Sequence, residues 1–299
     1  MPNGQSKPSG TQTGGSIVKS IGEAASLPIF SAGRGCGCCA QWSGRNDQDL
    51  GRWVARLAQH LLTPEGMMGI LEDLQTFLDQ HYSDQQLVKV LEAGCGSASR
   101  LRLPRRVHLT GIDISQQQLE RNTLLDARIL GDLQTYQFEP NSFDLVVCWD
   151  VLEHLASPEL AVEKLLRSAP IGGILVFKLP NVCSLKGLFT KYTPHWFHVW
   201  YYKTMLGWKD AGTRDIGPFR TFLRFSISPR RLVRRASKLG AIVALEGYYE
   251  SGVQIRLRER LRLRGMVFNA AEALVRFTTL GTISIRRTEH VLVLRRINA

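Results

Sequence analysis

The sequence predicts an α/β fold, in which helices cover both faces of a doubly wound, mostly parallel sheet of seven strands. Short apolar runs alternate with helical patterns between residues 87 and 181, and strands that alternate with helices pair in parallel. The run FDLVVCWD at 143–150 is apolar through its middle, as a strand buried on both faces requires. Glycines or aspartates end several of these runs. A ligand crevice is therefore expected at the carboxyl ends of the strands.

Five strands are predicted in the alternating region and two more near the end of the chain. The predicted strands are residues 87–94, 107–115, 127–132, 143–150, 174–181, 241–251 and 290–296. Helical spacing predicts a helix at 116–125, with Ser115 as its N-cap, and another at 158–169. A further amphipathic helix is predicted at 228–240, where it ends in glycine.

Two later stretches are less regular. Residues 182–227 are rich in aromatic residues, lysine and arginine but show no repeating pattern. Residues 255–277 form a basic region with helical character, although the alternation of arginine and leucine within 255–264 fits a strand as well as a helix. We therefore leave the conformation of 255–264 open.

The N-terminal part of the chain differs from the rest. Residues 1–45 are rich in glycine, serine, proline and threonine, which predicts a disordered arm. Apolar residues then recur at helical spacing, and the second of these helices is expected to begin with Thr63 as N-cap and Pro64 at its first position. The predicted divisions are the arm (1–45), N-terminal helices (46–83), an α/β core (84–181), a substrate-binding insertion (182–240), and C-terminal strands with a basic helix (241–299).

The formal net charge of +12 is unevenly distributed along the 299 residues. Residues 186–299, called the basic third below, contain 22 Lys and Arg against 7 Asp and Glu, a net charge of +15. The rest of the chain is close to neutral. The basic third is therefore the part expected to meet an anionic partner, such as a membrane surface, a phosphorylated substrate or nucleic acid.

Hydropathy and cysteine usage bear on location. No run of about 18 apolar residues is present, and the first residues lack the apolar stretch of a signal peptide. We expect a cytoplasmic protein, with attachment to the periphery of a membrane as a further expectation, and its six cysteines as thiols. Cys36, Cys38 and Cys39 are grouped in GRGCGCC without the second ligand pair of a zinc site, so no metal site is predicted.

The ends of the first four strands carry the residues that point to a ligand. The first strand closes in Glu92-Ala93-Gly94-Cys95-Gly96, and glycines there let the backbone turn sharply beside a ligand. Asp113 ends the second strand, where a carboxylate can accept both hydroxyls of a ribose. Asp132 and Asp150 end the third and fourth strands. Glu92 would repel a pyrophosphate but suits a ligand that carries a cation, such as a sulfonium amino acid.

The motifs of this region resemble those of the class I S-adenosylmethionine-dependent methyltransferases, in the group that includes the ubiquinone-biosynthesis O-methyltransferases. The resembling segments, which cover about a third of the chain, are VLEAGCGSA, TGIDIS, GDL, FDLVVCWDVLEHL and PIGGILVFKLPN. The resemblance implies a Rossmann-like methyltransferase fold, S-adenosyl-L-methionine as cofactor, and an antiparallel last strand inserted next to the fifth, which HVLVLRR at 290–296 supplies.

The resemblance also implies roles for individual residues. The expected cofactor-binding residues are Glu92, Gly94, Cys95 and Gly96 at the methionine part, Asp113 and Ile114 at the ribose, Asp132 and Leu133 at the adenine, and Asp150 and Val151 near the sulfonium.

Methyl transfer to oxygen needs alignment of the acceptor and a base that removes its proton. Three histidines are candidate bases. His195 and His198 are three residues apart among aromatic residues of the insertion, and His154 follows the fourth strand. An alternative interpretation is that the aromatic segment is an anchor in which His195 and His198 only pack or form hydrogen bonds.

The predicted function is methyl transfer to a small or lipidic acceptor, with O-methylation favoured. The arginine-rich stretches of the basic third favour peripheral contact with anionic lipid, although a solvated basic helix packed on the sheet explains them too. Two rivals remain. One is an RNA methyltransferase that uses the basic third, although no RNA-binding module is visible. The other is a non-catalytic partner protein that binds the cofactor at a membrane.

Overall fold

A computed structural model describes residues 66–82, 87–103, 106–204, 207–213, 217–263 and 265–298. The predicted arm at 1–45, with its cysteine group, lies outside the described residues. So do the first N-terminal helix and the cap predicted at Thr63 and Pro64.

Seven strands form one sheet, as the sequence predicts. They are β1 (Val88–Ala93), β2 (Val107–Asp113), β3 (Ala127–Leu130), β4 (Leu145–Trp149), β5 (Ile174–Pro180), β6 (Ala241–Tyr249) and β7 (Glu289–Arg296). Their order in the sheet is β3-β2-β1-β4-β5-β7-β6. The first five strands are parallel, and β7 runs antiparallel between β5 and β6. The expected insertion of an antiparallel last strand beside the fifth is confirmed.

The central strands are buried on both faces, because helices and loops cover both sides of the sheet. In β4, Val146 and Cys148 join one apolar cluster while Leu145 and Val147 join the other. Successive side chains of a strand point to opposite faces, so one uninterrupted apolar run serves both layers. The continuous apolar pattern at 143–150 thus indicates a strand in the middle of the sheet.

Eight helices are present in the described residues. They are α1 (Gly66–His81), α2 (Gln116–Arg121), α3 (Pro158–Ser168), α4 (Leu185–Tyr192), α5 (His195–Thr204), α6 (Pro229–Lys238), α7 (Gly252–Arg260) and α8 (Gly265–Thr278). Single 3₁₀ turns span Leu152–His154 and Phe225–Ile227. No helix among the described residues is both long and apolar enough to cross a bilayer.

The helix predicted at 116–125 is shorter in the structure. Ser115 caps it as predicted, with its hydroxyl accepting the Gln118 N–H. Asn122 takes an extended conformation and its own N–H closes the last turn on the Gln118 carbonyl, so α2 ends at Arg121. The Asn122 side-chain amide then donates to the Gly96 carbonyl, which ties the end of α2 to the glycine turn after β1.

Two helices occupy the stretch that the sequence left irregular. Ser184 caps α4, its hydroxyl accepting the Gly187 N–H at 2.9 Å. No residue of α5 is fully buried, and its aromatic residues follow one another without a polar face. Helical periodicity depends on one buried side, so α5 left no periodic signal in the sequence.

The ambiguous stretch at 255–264 is helical as far as Arg260. The helical path brings the Arg258 guanidinium back to Glu250, to which it donates two hydrogen bonds of 3.1 and 3.2 Å. The same guanidinium lies over the ring of Phe268 in α8, 4.7 Å from its centroid. These contacts fix α7 against the end of β6 and explain why the helix replaces the alternative strand.

The connection from β1 to β2 contains no helix in its described residues, 94–103 and 106. Leu101 and Leu103 instead pack onto the apolar cluster that also contains Leu74 and Leu78 of α1. Arg102 joins the two segments, since its guanidinium forms an ion pair with Asp79 of α1. The described N-terminal helix therefore covers a part of the sheet face that a crossover helix would otherwise occupy.

Candidate active site

The loops that follow β1 to β4 meet along the carboxyl edge of the sheet. The Gly94 N–H donates to the carbonyl of Ile112 at 2.7 Å, and the Gly131 N–H donates to that of Asp113 at 3.0 Å. These bonds extend the strand ladders past the ends of β1, β2 and β3. The residues after neighbouring strands are therefore held in a fixed row, which is where ligands bind in sheets of this kind.

Two glycines shape the turn after β1. Both have positive φ, 71° at Gly94 and 54° at Gly96, a conformation that side chains disfavour. A Cβ at Gly94 would lie 2.4 Å from a methyl group of Val151, whereas a Cβ at Gly96 would have no atom within 4 Å. Gly94 is thus needed for packing between the loops after β1 and β4. Gly96 borders open space that a ligand can fill.

Asp113 is held by two backbone donors at the mouth of this space. Its Oδ2 accepts the Gly96 N–H at 3.0 Å and its Oδ1 accepts the Ser115 N–H at 2.9 Å. Each carboxylate oxygen has a further lone pair, so the group remains able to accept two hydroxyls. Beside it Ile114 is 77% exposed, an apolar surface of the kind that a purine ring covers.

Glu92 and Cys95 lie deeper in the same loop. Glu92 is buried and accepts a 2.7 Å hydrogen bond from the Ser99 hydroxyl. Burial raises the pKa of Glu92, opposed by the Ser99 hydrogen bond and by Arg100. Burial and the neighbouring Asp113 raise the pKa of the Cys95 thiol to about 12. Cys95 is therefore a small apolar group that packs beneath the turn.

The loop after β3 presents Asp132 and Leu133. The side chain of Asp132 is held by Gln134, whose backbone N–H lies 2.8 Å from Oδ1 and whose side-chain amide reaches both carboxylate oxygens at 3.1 Å. The same Gln134 accepts the Ser157 N–H. Leu133 points its side chain into the core. Only its backbone is left to meet a ligand.

A group of charged side chains lies after β4 and β5 and at the start of β7, and is called the buried charge cluster below after its buried members Glu153, Lys178 and Glu289. Its members are Asp150, Glu153, Lys178, Lys186 and Glu289. The Lys178 ammonium lies 2.5 Å from Asp150 Oδ1 and 2.9 Å from Glu289 Oε2, and Lys186 lies 2.5 Å from Glu289 Oε1. Asp150 has a positive φ of 56°. Such backbone strain concentrates at functional sites.

The ion pairs decide which members of the cluster carry charge. Burial alone would raise the pKa of Glu289, but Lys178 and Lys186 hold it below its ordinary value. Burial opposes the charge on Lys178, yet Glu289 and Asp150 raise its pKa well above its ordinary value. Burial and the charge of Asp150 raise the pKa of Glu153 well above its ordinary value. Two lysines thus face two carboxylates, and burial favours the protonated form of Glu153.

Glu153 has one carboxyl oxygen that the described residues leave unpaired. Its Oε2 is buried and has no hydrogen-bond partner among the described residues. Its backbone carbonyl accepts the N–H groups of Phe222 and Leu223 at 2.8 and 3.0 Å, which brings the insertion against the loop after β4. A buried carboxyl oxygen therefore borders the site and can bond to a polar group of a ligand.

Tyrosines from two elements border the buried charge cluster. The Tyr249 ring lies 5.9 Å from the Lys178 ammonium. Burial raises the pKa of Tyr249 to about 12. Burial and the charge of Glu289 raise the pKa of Tyr202. Because Tyr202 belongs to α5 and feels the charge of Glu289, α5 lies close to the cluster.

His154 is fixed beside the cluster. Its Nδ1 lies 2.9 Å from the Arg220 carbonyl, which only accepts, so Nδ1 donates and Nε2 keeps its lone pair. Nε2 lies 3.9 Å from Glu153 Oε1. Burial lowers the pKa of His154, and the ring of Phe219 packs against it edge to face. A neutral imidazole with a free acceptor nitrogen is the form that a general base needs.

The other two predicted histidines lie on α5. His195 is exposed at the start of the helix. His198 Nε2 is 2.7 Å from the Thr193 hydroxyl, and burial lowers its pKa. Helical spacing places the two histidines near each other, since the charge on His195 further lowers the pKa of His198.

Sequence reasoning missed Lys178 and Glu289. The signal was present, because a lysine interrupts the otherwise apolar strand ILVFKLPN and a glutamate precedes HVLVLRR. A charged residue inside a buried strand is rarely found without a partner.

The described residues contain no group of three or more His, Cys, Asp or Glu that could hold a metal ion.

Comparison with known proteins finds methyltransferases. Residues 91–177 match the family model described as "Methyltransferase domain". Among curated proteins, the chain is 29% identical over 170 residues to a ubiquinone biosynthesis O-methyltransferase of Azoarcus sp., covering 53% of this chain and 66% of that protein. It is 28% identical over 115 residues to the Idiomarina loihiensis protein of the same name, covering 35% and 47%. The matches span about half to two thirds of these relatives.

Solved structures of low sequence identity are similar in part. Phosphoethanolamine N-methyltransferase 2 of Haemonchus contortus, in complex with S-adenosyl-L-methionine, has a TM-score of 0.47 and 15% identity, covering 85% of this chain and 58% of that one. An S-adenosylmethionine-dependent methyltransferase of Mesorhizobium loti has a TM-score of 0.45 and 13% identity, covering 79% and 99%. Residues 91–177 thus match a methyltransferase domain, and the chain is similar to class I S-adenosylmethionine-dependent methyltransferases such as the ubiquinone-biosynthesis O-methyltransferases.

Proposed function

We propose that the protein transfers a methyl group from S-adenosylmethionine to an oxygen atom of a small or lipidic acceptor. One observation carries the proposal. The Asp113 carboxylate is held by the N–H groups of Gly96 and Ser115, and it borders the open space in front of the Gly96 turn. This arrangement suits the two hydroxyls of a ribose, with Ile114 exposed beside them.

The residues present fit the cofactor along the row of strand ends. Glu92 and the turn at Gly94 and Gly96 would hold the methionine part. The ribose would meet Asp113, and the adenine would lie against Ile114 and the loop of Asp132 and Leu133. Asp150 and Val151 would border the sulfonium. The bound cofactor supplies a methyl group already activated for displacement, so the protein needs to align the acceptor and keep water away.

His154 is our proposed base. It lies directly after β4, it is kept neutral by burial, and its Nε2 retains a lone pair because Nδ1 donates to the Arg220 carbonyl. The proton taken from the acceptor hydroxyl would lie on Nε2, close to the Glu153 carboxyl group. His195 and His198 remain candidates, but the exposure of the former and the Thr193 contact of the latter favour His154.

The acceptor is proposed to lie between the carboxyl edge and α5. Burial and the charges of Glu289 and Asp150 raise the pKa of Tyr202 in α5, while Trp196 and Trp200 of the same helix are exposed. Aromatic side chains of this kind favour an apolar or aromatic acceptor with a polar end. The related O-methyltransferases support oxygen as the nucleophilic atom.

Calorimetric titration with S-adenosylmethionine and S-adenosylhomocysteine tests the proposal. We expect micromolar binding that weakens about 100-fold in Asp113→Ala, since hydrogen bonds to a charged group contribute about 1.5–3 kcal/mol each. Asp144→Asn is the matched control, because Asp144 also accepts a backbone N–H, from Lys89, but lies just before β4 at the opposite end of the strand. No binding by the intact protein would refute the cofactor site. Binding without turnover on any cell extract would favour a non-catalytic partner protein.

A further inference from the structure

The outward face of α8 is apolar and exposed to solvent. Its residues share one side of the helix, at spacings of three and four, and form what we call the apolar stripe: Met266, Ala270, Ala273, Leu274, Phe277 and, just past the helix end, Leu280. Met266 is 88% exposed, Phe277 82% and Leu280 91%. Large exposed apolar patches of this kind mark interaction sites.

The inward face of α8 is fixed, so the orientation of the stripe is determined. Phe268 is buried between the guanidinium groups of Arg258 and Arg286, each 4.7 Å from the ring centroid. Glu272 accepts the Ser284 hydroxyl at 2.8 Å and the Ile285 N–H at 2.7 Å. The helix therefore cannot bury the stripe by rotating about its axis without breaking these contacts.

Positive charge is concentrated in the connection that contains the stripe. Residues 252–288 contain eight arginines and two glutamates. Arg256, Arg260 and Arg262 are exposed on α7 and the turn that follows it. Leu257 and Leu261 are exposed between them, which continues the mixture of apolar and cationic groups. The apolar stripe and these exposed side chains, together called the patch below, are thus complementary to a surface that is anionic outside and apolar beneath.

The patch adjoins the candidate active site. β6 runs parallel to β5, because both are antiparallel to β7. The end of β6 and the start of β7 therefore lie at the carboxyl edge, and α7 and α8 connect them there. The start of α4 is bonded to the same connection, since the Leu185 N–H donates to the Ser284 carbonyl at 3.0 Å.

We propose that the apolar stripe docks α8 into the interface of an anionic lipid bilayer, so that a lipidic acceptor reaches the site from the membrane. The inference rests on the proposed function for the nature of the acceptor. A helix with apolar side chains on one face and arginines around it binds in this way through buried apolar area and attraction to anionic headgroups. A second copy of the chain is a poorer occupant, because a two-fold contact would place the arginines of one patch against those of the other.

Co-sedimentation with vesicles tests the docking. One set of vesicles is pure phosphatidylcholine, and the other also contains about 30% of the anionic lipid phosphatidylglycerol. We expect the full chain to bind the anionic vesicles, more weakly at high salt, and to bind pure phosphatidylcholine poorly. Leu274→Glu and Phe277→Glu should each weaken binding roughly tenfold or more, because a carboxylate then faces the bilayer. Ile171→Glu is the matched control, since Ile171 is 64% exposed in the turn before β5, at the opposite edge of the sheet.

The outcomes are distinguishable from failure of the methyltransferase proposal. Calorimetry with S-adenosylmethionine on the same variants reports the cofactor site, which the stripe does not touch. Loss of vesicle binding in the stripe variants, with cofactor binding kept and Ile171→Glu unaffected, supports the docking. Absence of binding by the intact protein, or equal loss in Ile171→Glu, overturns it. A dimer in sedimentation velocity that Phe277→Glu dissociates, or binding to RNA in place of vesicles, also overturns it.

Discussion

The two halves of the carboxyl edge are built in different ways. In the half formed by the loops after β1, β2 and β3, the key carboxylate is held by backbone donors, as Asp113 is by Gly96 and Ser115. In the half formed by β4, β5 and β7, charged side chains hold one another, with Lys178 between Asp150 and Glu289. The first half depends on the local path of the chain. The second depends on contacts between distant segments.

The difference has consequences for function and for stability. Backbone donors orient a carboxylate and leave it charged for a ligand, so a substitution there acts mainly on binding. A buried pair of opposite charges is stable only as a set, because each ion has lost its hydration. A substitution in the second half should therefore affect folding as well as chemistry. The following predictions test this contrast.

The largest expected effect is on the rate of methyl transfer in His154→Gln. Loss of a positioned base lowers such rates by roughly 10²–10⁴, and cofactor binding should stay unchanged. Because burial lowers the pKa of His154, the intact protein should gain activity as the pH rises toward 6.5 and then level off. The measurement is transfer of label from S-adenosylmethionine to a lipid extract as a function of pH. The matched variant is His195→Gln. Full activity of His154→Gln, together with loss of activity in His195→Gln, would contradict the assignment.

Removal of Lys178 should cost more stability than any change in the cofactor half. Lys178→Met leaves Glu289 and Asp150 without their shared cation, and breaking a buried pair costs about 3–5 kcal/mol. The double variant Lys178→Met with Glu289→Gln should recover part of this loss, because the uncompensated charge is removed. Urea unfolding measures both. The control Lys89→Met, on an exposed position of β1, should change stability by less than about 0.5 kcal/mol.

The same contrast explains how far the sequence alone leads. Asp113 follows directly on the strand that positions it, so its place at the mouth of the sheet can be read from the strand pattern. Lys178 and Glu289 meet only because β7 pairs antiparallel with β5, and that insertion was expected from the family resemblance and not from periodicity. The register of these strands pairs Pro180 with Glu289, two residues far apart in the chain. The sequence pattern does not reveal this register.

The helices show the limit in another form. α1, α3 and α6 could be predicted because each buries one side, as Leu74 and Leu78 do in α1. α5 buries no residue fully, and α7 alternates arginine with apolar residues in the manner of a strand. Where packing does not select one face of a helix, the sequence carries no period that reveals it.

Alanine variants of the two glycines in the turn after β1 should show a smaller effect, and they separate the loss of stability from the loss of cofactor binding. Both have positive φ, so alanine at either costs about 1–2 kcal/mol of conformational strain. At Gly94 the new methyl also meets Val151, which adds about 1–3 kcal/mol. Gly94→Ala should therefore lower stability more than Gly96→Ala in thermal unfolding, and Val151→Ala should partly restore it. Gly96→Ala should instead weaken cofactor binding more, because its methyl enters the open space. The reverse order would contradict our assignment of the turn.

The smallest effect concerns Glu153, the carboxyl group of the charged half whose pKa burial raises. The pKa of Glu153 in the folded protein is raised above its ordinary value of 4.5 by burial and by Asp150. Folding therefore favours the protonated form, so this contribution to stability is complete below pH 4.5 and declines as the pH rises toward the folded-state pKa. Gln stays neutral at every pH. Glu153→Gln should match the intact protein near pH 4.5 and exceed it in unfolding free energy at pH 7. Urea unfolding at both pH values decides the point. A difference that does not change with pH would mean that Glu153 is ionised in the folded state, and that the two lysines of the buried charge cluster balance three carboxylates.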